Sequence, residues 1–172
     1  MKRVIIAAFA LVFILVFAGC GRNEAVPTET EAPAGEGGLS FTAEGIDGST
    51  VSFSDFKDKK VIMVNFFESW CPPCVEELPD LAALYDKYAG EGFVILGVFG
   101  SSGEDEIRAL VDSVGVHYPV VSEVKELSKY RTDYVPTTVF LDGEGNLLSK
   151  SPYVGGKSYS AWESIILSYL EK

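Results

Sequence analysis

Apolar residues fall along this chain in two kinds of block. In residues 61–67 (VIMVNFF) and 92–100 (GFVILGVFG) they are nearly continuous and rich in β-branched and aromatic types, the pattern of strands buried on both faces. Between and after them the spacing changes. Val75, Leu78, Leu81, Leu84, Tyr85 and Tyr88 recur every three or four positions, as do Ile107, Leu110, Val111 and Val114, and then Trp162, Ile165, Ile166, Tyr169 and Leu170 within residues 159–170. Each set predicts an amphipathic helix. Pro79 falls inside the first of these and predicts a kink. Weaker signals fill the gaps: a hairpin around Asp47-Gly48 in residues 39–56, a short strand in YPVVSE, a short helix in KELSKYR, and a hairpin over residues 136–155 turning at residues 143–146. Strands alternating with helices, closed by a hairpin, predict an α/β domain with a mixed sheet and helices on both of its faces.

The first 38 residues do not follow this pattern. Lys2 and Arg3 precede an apolar run over residues 4–18, shorter than the roughly 20 residues a bilayer-spanning helix needs, and this predicts a signal peptide over residues 1–19. The stretch FAGC before Cys20 resembles the lipobox at which bacterial lipoproteins are cut and acylated, with Phe17 standing where that motif usually has Leu. The resemblance implies a lipid anchor on Cys20, and more than one acyl chain is needed for stable anchoring. The other outcome is an uncleaved anchor helix; either way the C-terminal part lies outside the cytoplasm, at a bacterial membrane. After Cys20, residues 21–38 are mostly Gly, Pro, Ala, Thr and Glu, with Val26 the one large aliphatic residue, so residues 20–38 are predicted to form the lipidated cysteine and a flexible tether. The folded domain is thus expected over residues 39–172.

Composition narrows the partners. The chain is 47% hydrophobic and 12% aromatic, enough for a real core, and carries a formal charge of −11 that becomes −13 once Lys2 and Arg3 leave with the signal peptide. Nucleic acid is excluded as a natural partner, because phosphate binding depends on clustered Lys and Arg. Nothing in the pattern calls for more than a monomer.

The segment ESWCPPC, residues 68–74, places Cys71 and Cys74 between a buried strand and an amphipathic helix. As a structural staple the pair is poor, since so short a loop gives only about 2 kcal/mol in the chain-entropy model against about 4.7 for a 100-residue loop. As half of a zinc site it lacks the other half: there is no second cysteine pair, and His117 is the only histidine. A redox pair requires a nucleophilic thiol at a helix N-terminus and a second thiol near enough to resolve a mixed disulfide. Pro72 and Pro73 have the fixed φ of a first helical turn and no amide hydrogen to waste there. Cys71 is then expected to be exposed at the positive end of the helix dipole, with Cys74 one turn in and more buried.

The ordered set of strand, WCPPC, Pro79 and YVPTTVFLDGEGN resembles the thioredoxin fold, and in particular the membrane-anchored TlpA/ResA-like thiol-disulfide oxidoreductases. The resemblance covers residues 39–172 and implies a thioredoxin-like fold with an N-terminal β-hairpin, the helix at Ile107 and the YPVV segment forming the insertion of that family. It further implies that Cys71 is the nucleophile, Cys74 the resolving thiol, Pro136 a cis-proline packed against the dithiol, and Val135 the backbone that an extended substrate meets. Trp70, with Pro72 and Pro73, is expected to offer the docking surface. Ordinary thioredoxins carry a buried Asp six residues before the nucleophile, where this chain has Asn65. Asn cannot act as a base there, whereas Glu77 stands where this family has an acid, one turn after Cys74, and is expected to exchange a proton with the thiols. Glu68 and Glu76 are expected to be exposed, and His117 receives no role.

The function the resemblance implies is reduction of protein disulfides outside the cytoplasm, apocytochrome c cysteines being one example, with a membrane thiol carrier returning the electrons and with no bound organic cofactor or metal. Three other classes compete. An oxidant that introduces disulfides would use the same residues at a much higher potential. A peroxidase of the peroxiredoxin group would carry Thr where Glu68 stands. A Sco-like copper carrier would want wider cysteine spacing and a distant histidine, for which His117 is the single candidate.

Overall fold

The structure is a computed structural model that describes residues 38–172; the expected signal peptide, Cys20 and most of the tether lie outside the described residues. The domain opens with a hairpin in which β1 (Thr42–Glu44) pairs antiparallel with β2 (Thr50–Ser52), Ala43 opposite Val51. A 3₁₀ turn at Phe53–Phe56 then leads into β3 (Val61–Phe66), every residue of which is buried.

The sequence around the cysteines follows as one helix, α1 (Pro72–Tyr88), with Pro79 inside a helical run that continues across it. Next come β4 (Phe93–Phe99), α2 (Glu104–Val114), β5 (Val120–Ser122), the single turn α3 (Lys125–Ser128), β6 (Thr137–Leu141), β7 (Tyr153–Val154) and α4 (Tyr159–Leu170). The five-stranded sheet has the order β5-β4-β3-β6-β7. β3 runs parallel to β4, and β4 to β5, while β6 is antiparallel to both β3 and β7. This is a thioredoxin-like α/β fold with a mixed sheet and an N-terminal hairpin.

Strand alternation assigns the core to two faces. Val61 and Met63 of β3 point to one, with Leu78, Leu81 and Leu84 of α1, Ile107 and Val111 of α2, and Trp162 and Ile166 of α4. Ile62, Val64 and Phe66 point to the other, covered by Phe41, Val51, Phe53 and Phe56 from the hairpin and 3₁₀ turn and by Leu127 and Tyr130 at α3. The helices therefore flank the sheet unequally: three long ones on one face, and on the other a single turn that shares the cover with the N-terminal segment. The second predicted hairpin is also interrupted. Its turn closes with the Asp142 N–H donating to the Asn146 carbonyl and with Leu141 bridged to Leu147, but regular pairing resumes only at β7, after Pro152, which has no N–H to give a ladder. Among the described residues no helix is long and apolar enough to cross a membrane.

Candidate active site

β3 delivers the chain to the dithiol and α1 receives it. Cys71 caps the helix in an extended conformation (φ −98°, ψ 102°), with Pro72 and Pro73 in the first turn. The Cys71 carbonyl accepts the N–H groups of Cys74 (3.0 Å) and Val75 (3.1 Å), so the first turn closes around the pair. Cys71 and Cys74 form a disulfide with Cα atoms 5.3 Å apart. Cys74 is fully buried, and Cys71 is only 3% exposed, which corrects the expectation that its thiol stands open at the helix start. The cover comes from the turn that leads into the adjacent strand β6: the Val135–Pro136 peptide is cis, and it brings the Val135 carbonyl oxygen to 3.6 Å from Cys71 Sγ. Pro72, Pro73 and Trp70 are exposed around it, while Pro136 is buried.

Asn65 and Glu77 meet below the disulfide. The register places Asn65 of β3 opposite Gly97 of β4 and Thr138 of β6. Its Nδ2 donates to Glu77 Oε1 and to Thr138 Oγ1, both at 3.0 Å. Glu77 Oε2 accepts Trp162 Nε1–H (3.1 Å) from α4 and the Lys157 N–H (3.2 Å). That last donor reaches it because Gly156 has no side chain: a Cβ there would sit 3.0 Å from the Pro73 carbonyl oxygen. Burial pushes the Glu77 carboxyl above its ordinary value, and the Trp162, Asn65 and Lys157 donors pull it only part of the way back. The arrangement offers a buried acid that can hold or release a proton one turn from Cys74.

Glu68 is the residue that the sequence misplaced. It is 1% exposed, not solvated, and its carboxylate sits in a nest of consecutive backbone N–H groups from Gly100 (3.0 Å), Ser101 (3.0 Å) and Ser102 (2.8 Å), with the Ser102 hydroxyl donating at 2.7 Å. Arg131 NH2 donates at 3.3 Å, and the other end of that guanidinium pairs with Glu123. Gly100 leaves room for this pair, since a Cβ there would collide with Arg131 NH1 and lie 2.8 Å from Glu123 Oε2. Burial opposes ionisation of Glu68, but the Ser102 hydroxyl and the three backbone donors outweigh it and hold the carboxyl below its ordinary value. The available signal was topological. Residue 68 and residues 100–102 follow the C-terminal ends of adjacent parallel strands, so they had to be neighbours.

Glu76 is exposed as expected. His117 is also exposed, its Nδ1 lying 3.3 Å from Asp86 Oδ1, on the rim of a groove of about 430 Å³ lined by Ile46, Tyr85, Arg108 and Tyr118 and by none of the dithiol loop. Among the described residues no three His, Cys, Asp or Glu side chains cluster as a metal site would require.

Residues 34–149 match the model of the AhpC/TSA family. The chain is 30% identical over 139 residues to the thiol-disulfide oxidoreductase ResA of Bacillus subtilis, covering 80% of this chain and 72% of that protein. It is 29% identical over 119 residues to ResA of Halalkalibacterium halodurans, covering 68% of this chain and 67% of that protein. Among solved structures, the thiol:disulfide interchange protein of the thioredoxin family from Chlorobium tepidum TLS matches with a TM-score of 0.70 at 27% identity, over 77% of this chain and 94% of that one.

Proposed function

This chain belongs to the AhpC/TSA family and is a thiol-disulfide oxidoreductase of thioredoxin-like fold, and on that premise we propose that it works as an extracytoplasmic reductant of protein disulfides, tethered to a bacterial membrane through a lipidated Cys20. What carries the reading is the placement of Cys71: at the start of α1, disulfide-bonded to Cys74, with the Val135 carbonyl 3.6 Å from its sulfur. In the reduced protein the Cys71 thiolate, stabilised by the helix dipole, attacks one sulfur of a substrate disulfide. That forms a mixed disulfide and releases the first substrate thiolate. Cys74, once deprotonated, attacks Cys71 Sγ, which closes the Cys71–Cys74 disulfide and releases the second. Two electrons pass to the substrate and its two thiols take up protons.

Glu77 is the proton acceptor for Cys74 in this scheme, its carboxyl held above the ordinary value by burial. Trp70, Pro72, Pro73 and the Val135–Pro136 backbone receive the substrate. A membrane thiol donor then reduces the Cys71–Cys74 pair, and the tether over residues 20–38 lets a monomeric domain reach both donor and substrate.

The deciding measurement is the reduction potential of the Cys71–Cys74 pair in defined thiol buffers. A value between about −220 and −270 mV places it with the thioredoxin and glutaredoxin reductants, and one near about −120 mV makes it an oxidant and removes the reductive direction. Glu77→Gln is expected to slow mixed-disulfide resolution and flatten its pH profile; an unchanged profile removes Glu77 from the step. Cys20→Ala is expected to release the protein from membranes, read by fractionation.

A further inference from the structure

Glu68 takes no part in the thiol steps, yet its carboxylate joins the two sides of the dithiol. On one side, the loop that binds it, together with the first turn of α2, also holds the residues leading to Cys71. The Ser69 N–H donates to Ser102 Oγ (2.8 Å), the Ser69 hydroxyl to Glu106 (3.0 Å), and Trp70 Nε1–H to Ser101 Oγ (3.1 Å). On the other side, Arg131 opens the stretch that ends in the cis-proline. Thr132 Oγ1 lies 2.7 Å from Thr137 Oγ1 and accepts the Tyr134 N–H at 3.2 Å, while the Thr137 hydroxyl donates to the Tyr134 carbonyl at 2.6 Å. Each arm of this clamp ends in an aromatic side chain that the core does not use: Trp70 is 63% and Tyr134 68% exposed. Trp70 adjoins Cys71 and Tyr134 adjoins Val135, the two residues whose sulfur and carbonyl oxygen lie 3.6 Å apart.

We propose that Glu68 is a positioning residue for substrate capture: through the 100–102 nest and Arg131 it holds Trp70 and Tyr134 in fixed relation on either side of Cys71, so that a disulfide-bearing polypeptide is gripped from both flanks. The proposal rests on the oxidoreductase reading and adds to it the specificity for polypeptide over small disulfides. With the clamp intact the two aromatics are ordered before substrate arrives. Without it the substrate must order them itself, a cost that appears in affinity and not in the chemical step. A small disulfide reaches Cys71 without touching either flank and lacks that dependence.

The test uses full-length protein carrying Glu68→Gln or Arg131→Gln, assayed against a cystine peptide of about ten residues, long enough at about 3.3 Å per residue to span the face, and against hydroxyethyl disulfide. Both variants are expected to raise KM for the peptide about tenfold with kcat changed less than about twofold, and to lower kcat/KM for the peptide at least about fivefold more than for the small disulfide. Arg131→Gln leaves Glu68 in its nest, so it carries the same expectation if Glu68→Gln does not fold. Equal losses on the two substrates, or no loss on either, overturn the proposal while the wild-type activity stands. A wild-type protein inactive on both substrates would remove the oxidoreductase reading, and this proposal with it.

Discussion

Glu68 and Glu77 flank the same disulfide, three residues before Cys71 and three after Cys74, and are 1% and 3% exposed. Their carboxyls are nevertheless displaced in opposite directions, Glu68 below and Glu77 above the ordinary value. Burial penalises the charged form of both. What separates them is the supply of donors. Glu68 collects three consecutive backbone N–H groups, a serine hydroxyl and a guanidinium; Glu77 collects an indole, a side-chain amide and one backbone N–H. The amides of a turn are already fixed and need an acceptor in any case, so they favour a permanent anion. The weaker set around Glu77 leaves its carboxyl within reach of a proton. Depth of burial therefore says little about a carboxylate's role until its donors are counted: one of these two is suited to structure, the other to proton exchange.

The largest effect sets the floor for that comparison. Cys71→Ser is expected to lower disulfide reduction by at least about a thousandfold, and adding a change at either glutamate should then make no difference to the residual rate. Next is stability. Glu68→Ala strands the three-amide nest and Arg131 and is expected to cost about 3–5 kcal/mol, whereas Glu77→Ala, which leaves three donors unpaired but removes a carboxyl whose charged form burial penalises, should cost about 1–3 kcal/mol in urea titration at pH 7. Equal costs would break the contrast.

The pH dependence sharpens it further, because the signs oppose. A folded carboxyl held below the ordinary 4.5 stabilises the protein above that pH, and the contribution fades as pH falls through the folded value; this is Glu68. One raised above 4.5 contributes fully below that pH and loses its contribution as pH climbs through the folded value; this is Glu77. The stability difference between wild type and Glu68→Gln should thus shrink on acidification, and that between wild type and Glu77→Gln should shrink on moving toward neutrality, by about 1.4 kcal/mol for each unit of displacement. Parallel slopes would show that the donor sets do not differ as argued. Smallest of all, Glu76→Gln on the exposed face of α1 is expected to stay within about 0.5 kcal/mol of wild type at any pH.

Much of the frame around these groups was legible beforehand. The runs that became β3 and β4, the three stripes that became α1, α2 and α4, and the turns at Gly48 and residues 143–146 are local patterns, readable because side-chain period follows backbone geometry within one element. The prolines after Cys71 located the start of α1 for the same reason. The cis bond before Pro136 came from resemblance and not from any local signal. Two features were misread, and both depend on distant partners. Cys71 is buried because the Val135–Pro136 turn, 64 residues away, packs over it. Glu68 is ionised and buried because its donors lie 32 to 34 and 63 residues further along the chain.

By itself, then, the sequence determined which residues form strands and helices and that two thiols meet at a helix N-terminus, since those depend on neighbours a few positions apart. Only the tertiary structure decided what each charged group near the thiols is worth. The parallel ends of β3 and β4 brought the 100–102 amides to Glu68, and the packing of α4 against α1 brought Trp162, 85 residues away, to Glu77. A carboxylate's protonation is set by the donors that fold around it, and no spacing along the chain records those.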